Sequence, residues 1–92
     1  SLLVVAVNPS KPLLTLDCTP LRQRFLVRAV QAPPRAPEWA QWLEEIGFMP
    51  GEQVELLARG AFGGDPLVVR VGLSTFALRR AEAACVVVEA SA

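Results

Sequence analysis

One stretch of sequence decides the fold: Trp42-Leu43-Glu44-Glu45-Ile46-Gly47-Phe48-Met49-Pro50-Gly51-Glu52-Gln53-Val54. Its first residues have the apolar spacing of a helix, and Gly47 supplies the left-handed backbone with which helices commonly end. Phe48 can then fold back onto the last helical turn. Pro50-Gly51 is the pair that a type II turn favours, and an alternating strand begins at Val54. The stretch therefore predicts a short helix that runs through a tight turn into a β-strand.

The residues before this stretch predict a strand and the start of the helix. Residues 25–30 read as a strand of apolar residues with one polar break at Arg28, and the proline-rich segment 32–37 closes that strand. Pro37 suits the first helical position, and Glu38 favours the positive end of the helix dipole. About ten residues are not helical alone in water, so an apolar stripe must pack on the core. That stripe consists of Trp39, Trp42, Leu43 and Ile46.

The residues after the stretch continue as short strands joined by tight connections. We predict five strands in all, over residues 25–30, 54–59, 67–71, 75–78 and 85–89. Gly60 to Pro66 reads as a loop, residues 72–74 as a tight reversal, and residues 81–84 as a short helical turn. Cys85 alternates with Val87, so we expect it to face away from the core. A mainly β protein of this kind, with one inserted helix, suits a small barrel.

The length allows one domain with one core. We assign residues 13–90 to that domain and residues 1–12 to an N-terminal tail or extra strand. The apolar run Leu2–Val7 could add a strand to a sheet edge, on its own domain or on a second copy as a homodimer. The chain is 52% hydrophobic and 20% charged, which indicates apolar surface patches and hence a partner.

Composition excludes several functional classes. The formal net charge is zero, so nucleic-acid binding is disfavoured. The run Leu2–Val7 is far shorter than the ~20 residues that cross a bilayer, and we expect a cytoplasmic protein that meets membranes only through a partner. His and Tyr are absent, which removes the usual acid-base and nucleophile-activating arrangements. No Walker A motif surrounds Lys11. We therefore predict a protein without catalytic activity.

Metal ligation has few candidate residues. The two cysteines are interpreted as free thiols, because one pair does not make a secreted disulfide framework. A surface site for a divalent transition metal, iron or zinc, would need several ligands to converge. We expect no required cofactor. The weak candidates for such ligands are Asp17, Cys18, Glu44, Asp65 and Glu82.

Aromatic and basic residues are the candidates for partner binding. Two Trp rings are hard to bury under one short helix, and a partly exposed Trp is a typical interface anchor; the alternative is that both are core residues. Arg79 and Arg80 follow the predicted strand over residues 75–78, and they could bind an acidic partner surface or simply be solvated. Phe62, the aromatic residue of the predicted loop, could contact a partner or could instead plug one end of the barrel. The candidate set is Trp39, Trp42, Phe48, Met49, Phe62, Arg79 and Arg80.

These motifs, in this order, resemble the FeoA family. The resemblance covers about residues 13–90 and depends on three segments: Leu43 to Val54, Gly64-Asp65-Pro66, and Leu78 to Val88. It implies an SH3-like β-barrel with a helical insertion. In that pattern Gly47, Pro50, Gly51, Gly64, Asp65 and Pro66 are structural turn residues. Trp42 stands where many family members carry Arg.

The resemblance also implies a function. FeoA proteins are thought to act on the cytoplasmic GTP-binding domain of the ferrous-iron transporter FeoB and to promote iron uptake, so we expect an accessory protein of that transporter. Two alternatives stay open: a metal-responsive SH3-like regulatory domain of iron-dependent repressors, or a transition-metal-binding module. The first would need a helix-turn-helix DNA-binding domain, which this sequence does not contain.

Overall fold

A computed structural model describes residues 13–91 of the chain. Its strands are β1 (Leu13–Thr15), β2 (Arg24–Val30), β3 (Gln53–Gly60), β4 (Gly64–Val71), β5 (Ser74–Leu78) and β6 (Val86–Ala90). Helix α1 (Glu38–Glu45) lies between β2 and β3, and the short helix α2 (Arg80–Ala83) lies between β5 and β6. A 3-10 turn, Leu16–Cys18, follows β1. The predicted tail or extra strand of residues 1–12 lies outside the described residues.

The six strands form one antiparallel sheet in the order β1-β6-β2-β3-β4-β5. This confirms the mainly β architecture with one inserted helix, but the count is six strands where about five were predicted. The additional strand is β1, which pairs with β6 from Leu13↔Glu89 to Thr15↔Val87. Three residues are too few for an alternating pattern to stand out in the sequence. Within residues 13–91, β1 and β5 are the two edges, so the sheet is not closed by pairing between them.

Irregular pairing bends the strands around the core. The β2–β6 register shifts between Val27 and Ala29, and the β3–β4 register shifts between Leu56 and Ala58 and again between Arg59 and Gly60. Such bulges bend a strand and increase its local twist. The sheet can therefore enclose a single cluster of buried side chains, namely Leu16, Phe25, Val27, Leu43, Phe48, Val54, Leu56, Leu67, Val69, Val71, Leu78, Ala83, Cys85, Val86 and Val88.

The end of α1 has the geometry that the sequence predicts. Gly47 has φ 124°, the Gly47 N–H donates to Glu44 O at 3.1 Å, and the Phe48 N–H donates to Leu43 O at 3.0 Å. These two bonds define a Schellman motif. The Glu52 N–H donates to Met49 O at 3.0 Å across Pro50 and Gly51, and Gly51 has φ 92°, as a type II turn requires. Helix α1 begins at Glu38, and Pro37 just before it already has helical backbone angles, φ −63° and ψ −23°, as expected of a proline at the start of a helix. In the described part of the chain no helix is long and apolar enough to cross a membrane.

The predicted loop from Gly60 to Pro66 is mostly strand. β3 continues to Gly60, β4 starts at Gly64, and only residues 61–63 remain as the hairpin turn. The two strands approach closely here: a Cβ on Gly60 would lie 2.3 Å from Asp65 O. The absence of a side chain at Gly60 therefore permits β3 and β4 to pair here. The glycine-rich composition of the segment had instead predicted a loop.

The orientation predicted for Cys85 is wrong. Its side chain is buried in the core cluster, and its Sγ lies 3.5 Å from Ala81 O. The strand that was predicted from residue 85 starts at Val86. Cys85 belongs to the connection from α2, where the alternation of the strand does not apply, and this is why the pattern misplaced it.

Candidate protein-interaction surface

Helix α1 divides its two tryptophans between the core and the surface. Leu43 is completely buried, and the half-buried Trp39 packs against the core cluster. Trp42 remains 38% exposed. The apolar stripe thus holds the helix on the sheet, as expected for a helix too short to be stable alone. The ring at position 42 is the one that α1 presents to solvent.

The residues just after α1 also separate into buried and exposed positions. Phe48 has no exposed surface, and its ring centroid lies 6.5 Å from that of Phe76. Phe48 is therefore removed from the candidate contact set, because the Schellman motif turns it into the core. Met49, the next residue, is 51% exposed. We refer to Trp42 and Met49 together as the helix-end surface.

A second exposed surface surrounds the β3–β4 hairpin. Phe62 at its tip is 88% exposed, so it does not plug the barrel. The Arg80 guanidinium donates from Nη1 to Gly63 O at 3.2 Å. The exposed side chain of Arg79 lines a depression beside Asp65 and Pro66. We refer to Phe62, Arg79 and Arg80 as the hairpin surface.

The turn motif Gly64-Asp65-Pro66 has a role that the sequence did not reveal. Asp65 Oδ1 accepts a hydrogen bond from the Arg80 N–H at 2.9 Å, and Glu82 Oε1 accepts one from the Arg79 N–H at 2.8 Å. Both carboxylates thus satisfy backbone donors at the start of α2. The Gly64-Asp65-Pro66 motif and the segment from Leu78 to Val88 are therefore joined by a hydrogen bond, although they are separate in the sequence.

The metal-ligand candidates do not form a site. Asp65 and Glu82 are hydrogen-bonded to the backbone at α2, and Glu44 is exposed on α1. Asp17 Oδ1 accepts a hydrogen bond from the Thr15 hydroxyl. The exposed Cys18 follows it in the 3-10 turn. Among residues 13–91, no three or more His, Cys, Asp or Glu side chains come together in a way that could hold a metal ion.

The two cysteines are free thiols in different environments. Burial raises the pKa of the Cys85 thiol, and the negative charges of Glu82 and Asp17 raise this pKa further. Because the thiolate is the reactive form, we expect Cys85 to react more slowly than an exposed thiol. Cys18 is exposed.

We expect Ellman's reagent at about pH 8 to titrate one thiol per native chain and both thiols in denaturant. The Cys18→Ser variant is the control and should show no fast-reacting thiol until it is unfolded. Rapid reaction of two thiols in the native protein would contradict the burial of Cys85.

Sequence reasoning missed a cleft on the outer face of the sheet. Its walls include charged residues from three neighbouring strands, and a glycine and a leucine of the β4–β5 turn complete it. The lining residues are Arg24, Gln53, Val54, Glu55, Arg70, Gly72 and Leu73. The only signal in the sequence is that the charged residues alternate with apolar ones along their strands. Which of them lie side by side depends on strand register, which the sequence does not display.

The fold and these surfaces define a class of protein. The chain is a small SH3-like β protein that offers exposed aromatic, apolar and basic side chains around its turns, as protein-binding domains do. The sequence profile of the FeoA domain matches residues 14–90, and the chain belongs to that family.

Solved structures support this assignment. Stenotrophomonas maltophilia FeoA is 44% identical, with a TM-score of 0.74 over 82% of this chain and 88% of that chain. That protein was solved in complex with zinc and is described as a procaryotic SH3 domain protein and candidate activating factor of ferrous iron transport. The FeoA protein from Chlorobium tepidum is 28% identical, with a TM-score of 0.70 over 86% of this chain and 71% of that chain. No curated protein matches the chain.

A manganese-dependent transcriptional repressor shares the fold. It is 20% identical, with a TM-score of 0.73 over 88% of this chain, which spans 43% of the repressor chain. At this identity the likeness concerns the fold alone. The SH3-like architecture expected from the sequence is confirmed by the similarity to S. maltophilia FeoA.

Proposed function

We propose that this protein is a non-catalytic accessory protein of ferrous iron uptake that binds the cytoplasmic GTPase region of the FeoB transporter. The observation that carries the proposal is the 44% identity to S. maltophilia FeoA across most of both chains. The absence of His and Tyr from the sequence supports a role without catalysis. The protein would then act in the cytoplasm and reach the membrane only through the transporter.

The helix-end surface is the contact that we propose for this partner. Trp42 and Met49 are exposed apolar side chains at the end of α1 and in the turn that follows it. A Trp side chain loses little conformational entropy on binding and buries a large area, so it is a frequent hot-spot residue. The hairpin surface, with Phe62 and two arginines, is the second contact of the proposed interface.

Calorimetric titration against the isolated cytoplasmic domain of the cognate FeoB tests this proposal. The titration is run without nucleotide, with GDP and with a GTP analogue. We expect saturable binding in at least one state, and Trp42→Ala should weaken it about tenfold or more. Leu21→Ala is the matched control, because Leu21 is also an exposed large apolar residue but lies between β1 and β2.

Two outcomes would contradict the proposal in different ways. No heat and no co-migration in any nucleotide state would oppose FeoB binding itself. Binding that Leu21→Ala weakens as much as Trp42→Ala would oppose the helix-end surface as the contact.

Transition-metal binding is the second candidate function, favoured by the zinc in the S. maltophilia structure. The residues described here do not fit a resident metal ion, since no group of three ligands converges. A site would need carboxylates or Cys18 from a second copy. Zinc should then shift sedimentation from monomer to dimer and a chelator should reverse the shift, whereas an unchanged profile would oppose this function.

A further inference from the structure

The cleft on the outer face of β2, β3 and β4 contains a row of three charged residues. Arg24 of β2 lies directly opposite Glu55 of β3, and Glu55 lies directly opposite Arg70 of β4. Side chains at opposed positions of an antiparallel pair point to the same face, and neighbouring strands lie about 4.8 Å apart. The two arginines therefore flank a single carboxylate across three strands.

Alternation along each strand places this row on the outer face of the sheet. Phe25, Val54 and Val69, each next to a member of the row, are buried. Arg24 and Arg70 are exposed, and Glu55 is half-buried between them. Because these neighbouring residues point into the core, the three charged side chains point away from it.

The guanidinium groups of Arg24 and Arg70 have unused donors. Elsewhere in the described residues, Arg28 pairs with Glu89 at 3.2 Å and Arg59 donates to Thr19 O at 3.0 Å. Within residues 13–91, Arg24 and Arg70 make no such side-chain bond and no ion pair within 4 Å, either with Glu55 or with any other acceptor. The lining residues carry two positive charges and one negative charge, in a chain whose net charge is zero. The donors of these two guanidinium groups are thus available to an external acceptor.

One end of the cleft is formed by the β4–β5 turn. Gly72 leaves that end without a side chain, and its N–H donates to Gln53 O at 3.1 Å. Leu73, beside it, is 95% exposed. A Cβ on Gly72 would lie 3.5 Å from Glu52 Oε1, so Glu52, the residue just before β3, lies beside this end of the cleft.

We propose that this cleft receives an acidic segment of the protein partner, with one carboxylate between Arg24 and Arg70 and an apolar neighbour on Leu73. The inference rests on the proposed function and assigns the chemistry of one part of that interface. Charge complementarity selects the occupant: planar guanidinium groups bind carboxylates in a bidentate manner. Glu55 competes with such a carboxylate, because like charges repel at this separation.

Four variants test the proposal in the same titration against the cytoplasmic domain of FeoB. Arg24→Gln and Arg70→Gln should each weaken binding about fivefold to tenfold and reduce its dependence on salt. Glu55→Gln should tighten binding about threefold, a gain that misfolding cannot imitate. Arg28→Gln is the matched control, because Arg28 lies on the same strand as Arg24 but pairs with Glu89.

The outcomes separate this inference from the proposed function. If the wild-type protein does not bind, both are overturned. If the wild-type protein binds, and Arg24→Gln and Arg70→Gln stay within twofold of it while Glu55→Gln gives no gain, the cleft is not the acceptor, and FeoB binding stands. An equal loss of affinity in Arg28→Gln would mean that removal of any positive charge weakens binding. That result would also overturn the proposed role of the cleft.

Discussion

Phe48→Ala should lower the free energy of unfolding by about 4 kcal/mol. The side chain is completely buried, and its ring centroid lies 6.5 Å from that of Phe76 in β5. Truncation removes the transfer free energy of the ring and leaves a cavity that the sheet cannot fill. A small domain has only ~5–15 kcal/mol of stability in total, so a large share of the molecules should be unfolded at moderate urea concentrations.

Urea titration followed by far-ultraviolet circular dichroism measures this effect, and Met49→Ala is the control. Met49 is the adjacent residue, apolar and about half exposed, so its truncation should change stability by less than about 1 kcal/mol. Equal losses in the two variants would contradict the separation of these neighbours into core and surface.

The same pair of residues illustrates how much of the site the sequence could predict. The limited capacity of the core under one short helix predicted that at least one Trp would be partly exposed, without a choice between Trp39 and Trp42, and Met49 was a further candidate for an exposed patch. Phe48 was placed in the same set even though Gly47 indicated a Schellman motif that could fold it back. Local signals defined the turn, but the choice between burial and exposure depends on whether residues distant in sequence, such as Phe76 of β5, leave room for the ring.

Long-range pairing limited the remaining predictions. The strands predicted over 25–30, 54–59, 67–71 and 75–78 lie within observed strands, because apolar patterning and turn residues are local properties of the sequence. Strand β1 and the row from Arg24 to Arg70 were missed, because both depend on which strands lie side by side. Register is set by bulges and by contacts distant in sequence, and no window of the chain contains that information.

Gly60→Ala is the substitution with the second large expected effect, although its backbone is not in the left-handed region that usually favours glycine. The cost arises from proximity: the new Cβ would lie 2.3 Å from Asp65 O and 2.8 Å from Pro66 N. Both atoms belong to backbone, which cannot rotate away as a side chain does. We expect a loss of about 3 kcal/mol in the free energy of unfolding.

Gly63→Ala is the matched control for this prediction. Gly63 lies in the same hairpin with φ 66°, and a Cβ there would meet nothing within 4 Å. Its cost should be limited to backbone strain, about 1 to 2 kcal/mol. Urea titration of the two variants distinguishes steric conflict between strands from strain within one residue, and a larger loss in Gly63→Ala would oppose the close approach of β3 and β4.

The position of Asp65 gives this prediction a second, local readout. Asp65 Oδ1 accepts the Arg80 N–H at the start of α2, so displacement of the Asp65 backbone should release that bond. The Arg80 amide should then exchange with solvent faster in Gly60→Ala than in Gly63→Ala, as hydrogen exchange followed by NMR would measure. Faster exchange at Arg80 in Gly60→Ala alone would mean that this glycine maintains the link between the hairpin and α2, and hence the relative placement of Phe62 and the two arginines on the hairpin surface.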